Sequence, residues 1–266
     1  MLVLVRGVGD IGSAVAHRLF QEGYGVVLHD EPGPTTTRRG MAFADAIFDG
    51  HATLDGVRAV RADELGHVTQ ALTQRDAIAV YAGQWESLLG AVQHRVLVDA
   101  RMWKHAEPEI QREYGDFTIA LGPDLVAGHH ADVVIETGWD GLGAVITQGA
   151  TRPLTGEPRK ISGHSRDRYV YAPVEGVFCT KFRIGDVVRQ GQKVAEIGSA
   201  VLTAPLDGVL RGLTHDGVPV KVRTKVIEVD PRGEAGEVTG IGERPGRIAD
   251  AVLSAIRGWE QRRTAR

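Results

Sequence analysis

Leu2-Val3-Leu4-Val5-Arg6-Gly7-Val8-Gly9-Asp10-Ile11-Gly12 opens with an apolar run, passes through a glycine-rich turn and enters a helix with Ile11, Val15, Leu19 and Phe20 on one face. Gly25-Val26-Val27-Leu28 follows as a second strand, so residues 2–30 read as a βαβ unit. Apolar runs at 77–81, 96–99 and 117–120 are separated by stretches long enough for crossover helices, which predicts a parallel sheet. Asp55-Gly56, between Ala52-Thr53-Leu54 and Val57-Arg58-Ala59-Val60, predicts a two-residue hairpin inserted into that pattern. Trp139-Asp140-Gly141 predicts a second turn, between residues 133–136 and 143–146.

The turn fits G-x-G-x-x-G, and its place between a strand and a helix is that of a Rossmann-like dinucleotide-binding domain. Gly7 would allow the tight turn, Gly9 would let backbone amides approach a phosphate, and Gly12 would let the helix pack closely. The helix N-terminus, at Asp10 and Ile11, favours an anion. Asp30 would accept from a ribose 2′-hydroxyl, which suits NAD over NADP. The same glycines also serve a plain strand-to-helix turn, and the Asp10 carboxylate repels a phosphate unless it turns outward or caps the helix.

Asp99 and Arg101 follow the run Val96-Leu97-Val98, at the carboxyl edge of the sheet where open α/β folds bind ligands. Arg38-Arg39, after the second strand, would reach the same edge. Guanidinium groups suit bidentate recognition of phosphate, so Arg38 and Arg101 are anion-binding candidates; an Asp99–Arg101 ion pair bracing a loop is the alternative. Glu136 and Asp99 are the candidates for acid–base work, and neither has a visible catalytic partner.

The 266 residues hold 31 Lys+Arg against 34 Asp+Glu, a formal charge of -3. With no run of like charge, nucleic acid and anionic membranes are not expected partners. One Cys excludes a disulfide scaffold, and Cys179, alternating with Val177, is expected in the core. Ten His show no H-x-x-x-H spacing, so no metal site is expected. No apolar stretch nears the roughly 18 residues of a membrane span, and the chain enters a strand at Leu2 without a leader pattern, so a cytoplasmic location is expected.

Beyond a Pro-, Gly- and Arg-containing linker at 151–167, Ala172-Pro173-Val174-Glu175-Gly176-Val177-Phe178 recurs as Ala204-Pro205-Leu206-Asp207-Gly208-Val209-Leu210. With residues 184–197 between them, these repeats resemble the biotinyl/lipoyl carrier fold, a barrel-sandwich hybrid. Gly198-Ser199-Ala200-Val201-Leu202 lacks the modified lysine, so no covalent biotin or lipoyl group is expected. Ile248, Val252, Leu253, Ile256 and Trp259 fall on one face of a last helix. The expected α/β organisation is therefore a Rossmann-like domain at 1–165, an all-β module at 166–232, and a tail with a helix at 233–266 that packs back on the body.

Nearly the whole chain resembles the accessory proteins of the selenium-dependent molybdenum hydroxylase system. The resemblance rests on an ordered set of motifs, beginning with Val5-Arg6-Gly7-Val8-Gly9-Asp10-Ile11, Phe43-Ala44-Asp45-Ala46 and Val98-Asp99-Ala100-Arg101-Met102. It continues through Leu121-Gly122-Pro123 with Ala127-Gly128 and Val134-Ile135-Glu136-Thr137 with Gly141-Leu142-Gly143. Leu154-Thr155-Gly156-Glu157-Pro158 and Val229-Asp230-Pro231-Arg232-Gly233 complete it. Residues 237–244 lack the cysteine and lysine of this region in the family.

The resemblance implies a cytoplasmic role in maturing hydroxylases of the xanthine dehydrogenase type, whose molybdenum cofactor carries a terminal sulfur or labile selenium. The ligand implied is phosphate-bearing, a nucleotide or the molybdenum cofactor, and the partners are a hydroxylase or its maturation factors. An NAD(P)-dependent oxidoreductase and a non-catalytic ligand-sensing module are the alternatives.

Overall fold

A computed structural model describes residues 1–103, 106–154 and 158–264, so Thr155, Gly156 and Glu157 of the Leu154–Pro158 motif lie outside the described residues. The first half runs β1 (Leu2–Arg6), α1 (Asp10–Gln21), β2 (Gly25–His29), α2 (Asp45–Asp49), β3 (His51–Leu54), β4 (Val57–Ala62), α3 (Leu65–Gln74), β5 (Ile78–Tyr81), α4 (Trp85–Ala91), β6 (Val96–Asp99), β7 (Phe117–Leu121), β8 (Val133–Ile135) and β9 (Val145–Ile146). These strands form one nine-stranded sheet in the order β3-β4-β5-β2-β1-β6-β7-β8-β9.

The sheet is mixed, which corrects the expected parallel Rossmann-like domain. Pairing is parallel from β4 to β8, but β3 runs antiparallel to β4 and β9 antiparallel to β8. Asp55 and Gly56, both at positive φ (43° and 81°), fold β3 straight back on β4, and the turn at 139–141 does the same for β9. Each hairpin adds an antiparallel edge that a crossover helix would not make.

Both faces of the sheet are covered, which is why its inner strands read as continuous apolar runs. Val3, Val5, Val26, Leu28, Val96 and Val98 belong to the core shared with α1 and the last helix, α5 (Glu243–Thr264). Leu4, Val27, Ala79 and Leu97 face the opposite side, with Val68 of α3 and Leu88 of α4. Ile248, Val252, Leu253 and Ile256 of α5 are buried against that first core, and Trp259 stacks on Phe117 at 5.4 Å.

The expected barrel-sandwich module is corrected too. Its strands are β10 (Tyr169–Tyr171), β11 (Gly176–Thr180), β12 (Val187–Val188), β13 (Lys193–Ile197), β14 (Ala200–Thr203), β15 (Gly208–Leu213), β16 (Pro219–Val220) and β17 (Lys225–Asp230). They form two separate four-stranded antiparallel sheets, β10-β17-β15-β12 and β14-β13-β11-β16. The first is tied directly to the segment after β2: Leu213 N–H donates to Thr37 O at 2.8 Å, and Arg39 Nε donates to Leu213 O at 2.8 Å. Cys179 is exposed, against expectation, because Phe178 takes the inward position on β11 and turns both its neighbours outward.

No helix of the described residues is long and apolar enough to cross a membrane.

Candidate functional site

The glycine turn begins where β1 ends. Gly7 has φ of +104°, and its N–H donates to His29 O at 2.8 Å, holding the turn between β1 and β2. A Cβ on Gly12 would meet Gly7 O at 1.8 Å, so α1 packs directly on the turn and no larger residue fits. Gly9 is different: it is the N-cap of α1, with φ of −63°, and a Cβ there would meet nothing within 4 Å. Two glycines are required by packing, and the third has free space beside its α-carbon.

The two acids of the motif region brace this turn. Asp30 accepts from Val8 N–H at 2.7 Å through Oδ2 and from Glu31 N–H at 2.8 Å through Oδ1, and burial raises its pKa. Asp10 turns its Oδ1 to Ile11 N–H at 3.1 Å and its Oδ2 to Arg38 Nη1 at 3.1 Å. The carboxylate that repels an anion is thus partly neutralised by the helix end and by a guanidinium.

Arg38 links the turn to the antiparallel half. Its Nε and Nη2 form a fork on Glu228 of β17, at 2.9 Å to Oε2 and 3.0 Å to Oε1. Glu228 is fully buried and also accepts from Lys225 Nζ at 2.9 Å and from Arg168 Nη1, with Arg211 Nε at 3.8 Å. Burial pushes the Glu228 carboxyl up, but Lys225, Arg38 and Arg168 outweigh it and hold it well below the ordinary carboxylate range. Burial pulls the Lys225 amine down to about 8; Glu228 opposes this and Arg38 adds to it.

Asp230, two residues on, pairs with Arg211 and Arg232. Tyr169 lies under the cluster, its hydroxyl 2.6 Å from Arg168 Nη2 and its ring beneath Lys225 Nζ at 4.6 Å. Arg244, at the start of α5, donates to Thr137 O at 2.7 Å and feels the charges of Asp10 and Arg38. Arg38, Arg168, Arg211, Arg232 and Lys225 therefore share Asp10, Glu228 and Asp230, and Arg38 joins this set to the helix end through Asp10.

The other arginine candidate is placed differently. Arg101 forks onto Asp99, Nε to Oδ1 at 2.9 Å and Nη2 to Oδ2 at 2.7 Å, and reaches Glu109 at 2.8 Å. Arg6 shares Glu109 at 3.1 Å, and Trp103 Nε1 donates to Asp99 at 2.8 Å. Two guanidinium groups meet two carboxylates, a balanced network that braces the loop after β6. Glu136 accepts from Gly138 N–H at 2.7 Å and Arg152 N–H at 2.8 Å, so it too holds a loop. Among the described residues no group of three or more His, Cys, Asp or Glu is placed to hold a metal ion.

The structure thus brings together Gly7, Gly9, Asp10, Ile11, Gly12, Asp30 and Arg38; Asp99 and Arg101 lie beside them, a Cβ on Gly7 falling 3.1 Å from Arg101 N, but their side chains form a network of their own. Sequence reasoning missed Lys225, Glu228, Arg168, Tyr169 and Arg244. One signal was present for Glu228: it lies in the apolar run Val226-Ile227-Glu228-Val229, where a carboxylate needs a buried partner.

No protein-family model matches the chain. It is 38% identical over 258 residues to the uncharacterized protein YqeB of Escherichia coli (strain K12), an alignment covering 96% of this chain and 47% of that protein. The chain thus spans about half the length of this curated relative. Two solved structures show faint similarity, each 12% identical over 86% of this chain and 84% of the other. They are the product-bound ectoine utilization protein EutE (DoeB) of Ruegeria pomeroyi, at a TM-score of 0.25, and an aspartoacylase family protein of Mesorhizobium loti, at 0.26. Scores this low carry no argument about fold or activity.

Proposed function

We propose that this chain is a cytoplasmic accessory protein for maturing molybdenum hydroxylases of the xanthine dehydrogenase type, and that it binds a phosphate-bearing ligand at residues 7–12. The ligand is a nucleotide or the phosphate end of the molybdenum cofactor. The observation that carries the binding step is the open face of Gly9 at the N-terminus of α1, beside a cluster with more cations than carboxylates. The maturation role rests on the ordered motifs from Val5 to Gly233. An oxidoreductase built on the same turn needs an acid or base, and its candidates Glu136 and Asp99 are both held in loop-bracing contacts.

A thermal-shift panel with NAD, NADP, ATP, CTP and molybdenum cofactor tests the reading, with Gly9→Asp as the control. Gly9 has ordinary φ and free space, so the variant keeps the fold while placing a carboxylate where the phosphate would sit. A ligand at 100 times its Kd stabilises by about 2.7 kcal/mol, a shift of a few degrees. Stabilisation by the molybdenum cofactor in wild type and its loss in Gly9→Asp is the expected result. A shift with NAD alone moves the assignment to the oxidoreductase, and equal shifts in the variant remove the ligand from the glycine turn.

A further inference from the structure

We propose that Arg6, Trp85 and Gln111 form a second site, at the carboxyl end of β1, which takes the carboxylate of a small organic acid. This goes beyond the ligand assigned to residues 7–12 and does not depend on it. In-register pairing sets Asp99, Arg6, His29 and Tyr81 side by side across the ends of β6, β1, β2 and β5. Alternation along the strands puts them on the face of Leu4 and Leu97, under α3 and α4. From β1 the chain runs outward to β2 on one side and later returns to β6 on the other, and open α/β sheets take ligands at such a reversal. These four side chains are more than nine-tenths buried, as are Trp85 at the start of α4 and Gln111.

The hydrogen bonding here is short of acceptors. Both side-chain bonds of Arg6 leave from Nη1, to Glu109 Oε2 at 3.1 Å and to Gln111 Oε1 at 3.0 Å. Its Nε–Nη2 edge, the one that forks onto a carboxylate, meets no acceptor among the described residues, and Nε is buried. The same guanidinium lies 4.1 Å over the Trp85 ring, whose Nε1 is also buried and unpaired. Gln111 gives its oxygen to Arg6 and keeps a buried, unpaired Nε2. Three unpaired groups therefore adjoin one guanidinium, and all three are donors.

That uniform sign selects the ligand. A water would bring two hydrogens that need acceptors of their own, which these groups do not offer, whereas a carboxylate brings only acceptors. Charge agrees: Glu109 engages Arg6 at Nη1, away from the unpaired edge, and is 37% accessible, so solvent screens it. His29, beside Arg6, bonds Gly83 O through Nε2 at 2.9 Å, and burial together with the Arg6 charge lowers its pKa. The guanidinium is thus the charge that a ligand meets.

The indole N–H resonances of the isotope-labelled full chain test the proposal, with Trp85→Phe identifying one signal among those of the four Trp. Acetate at constant ionic strength and about pH 7 is expected to move the Trp85 signal saturably, while Trp259, stacked on Phe117, stays fixed. Chloride at the same concentration should move it far less. Gln111→Glu keeps an oxygen for Arg6 but replaces the unpaired donor with an acceptor, and Arg6→Lys keeps the charge but loses the fork. Each should weaken acetate binding at least ~10-fold. Lys193→Met, on the exposed side of β13, should match wild type.

A Trp85 signal that stays still up to ~100 mM acetate overturns the inference, as does an equal response to chloride. Undiminished acetate affinity in Gln111→Glu and Arg6→Lys overturns it too. If Arg6→Lys does not fold, Gln111→Glu decides; if neither folds, the preference of the wild-type Trp85 signal for acetate over chloride decides.

Discussion

Arg38 and Arg101 read alike in the sequence, each an arginine following an apolar strand, but the structure puts them in opposite electrostatic settings. Arg101 lies in a network where two guanidinium groups meet Asp99 and Glu109. Arg38 joins a set in which five cations share three carboxylates, two of them, Glu228 and Asp230, fully buried. The first arrangement matches each guanidinium with a carboxylate and braces a loop. The second holds more cations than carboxylates and is joined to the N-terminus of α1 through Arg38 and Asp10, a setting that favours an anion.

Removing the central carboxylate of each network should break the comparison most visibly. Glu228→Gln leaves Arg38, Arg168 and Lys225 facing a neutral amide in the interior, and an uncompensated buried charge costs about 3–5 kcal/mol. Asp99→Asn leaves Arg101 still paired with Glu109 and should cost less, about 1–3 kcal/mol. Urea unfolding of both variants measures the difference. Equal losses would mean that the Arg38 set is no more dependent on its acid than the Arg101 set.

Acid titration sharpens the same point. The Glu228 carboxyl is held well below its unfolded value of about 4.3, so its stabilisation is complete above that pH and is lost as pH falls through the folded pKa. Wild type should therefore lose stability below about pH 4 more steeply than Glu228→Gln, which has no proton to take up at that position. Unfolding midpoints measured from pH 6 to pH 2 give the two slopes.

Ligand affinity separates the arginines themselves. Arg38→Met removes a charge beside the helix end and should weaken phosphate binding about tenfold, roughly the worth of one charge-assisted hydrogen bond. Arg101→Met should change it less than about twofold while lowering stability, because Asp99 stays buried without its guanidinium. Titration calorimetry gives the affinities. The reverse ranking would place the ligand over β6 instead of α1.

How much of this was legible follows the range of each interaction. Residues 2–30 were readable because burial on both faces makes a continuous apolar run and because Gly12 answers to Gly7 in the same turn, although Gly7 answers to Ala100 and Arg101 at the end of β6. The hairpin at Asp55-Gly56 was readable for the same reason, but its consequence was not: a local turn signal does not say that β3 ends as an antiparallel edge of a nine-stranded sheet. The phase of β11 was misread because Val177, Phe178 and Cys179 are all apolar, and a one-residue slip in a strand reverses every side chain. The Arg38–Glu228 fork joins residues 190 apart, a separation at which charge pattern carries no pairing information. Asp99 and Arg101 are two apart, which is why an ion pair between them was already one of the readings.

The smallest effect calibrates the others. Arg18 of α1 donates to Asp250 of α5 at 2.9 Å, the same separation as Arg38 Nε and Glu228, but the two side chains are 39% and 64% accessible. Water screens this pair and both side chains lose rotamer freedom in making it, so a double-mutant cycle of Arg18→Ala and Asp250→Ala should return a coupling of about 0.2–1 kcal/mol. That coupling should shrink further in 1 M salt, where the screening length is about 3 Å. The corresponding loss at Glu228 should hold nearly constant, because salt does not enter a fully buried site. A coupling on the surface as large as the loss at Glu228 would show that distance, and not burial with charge imbalance, sets the worth of these contacts, and the distinction between Arg38 and Arg101 would lose its physical basis.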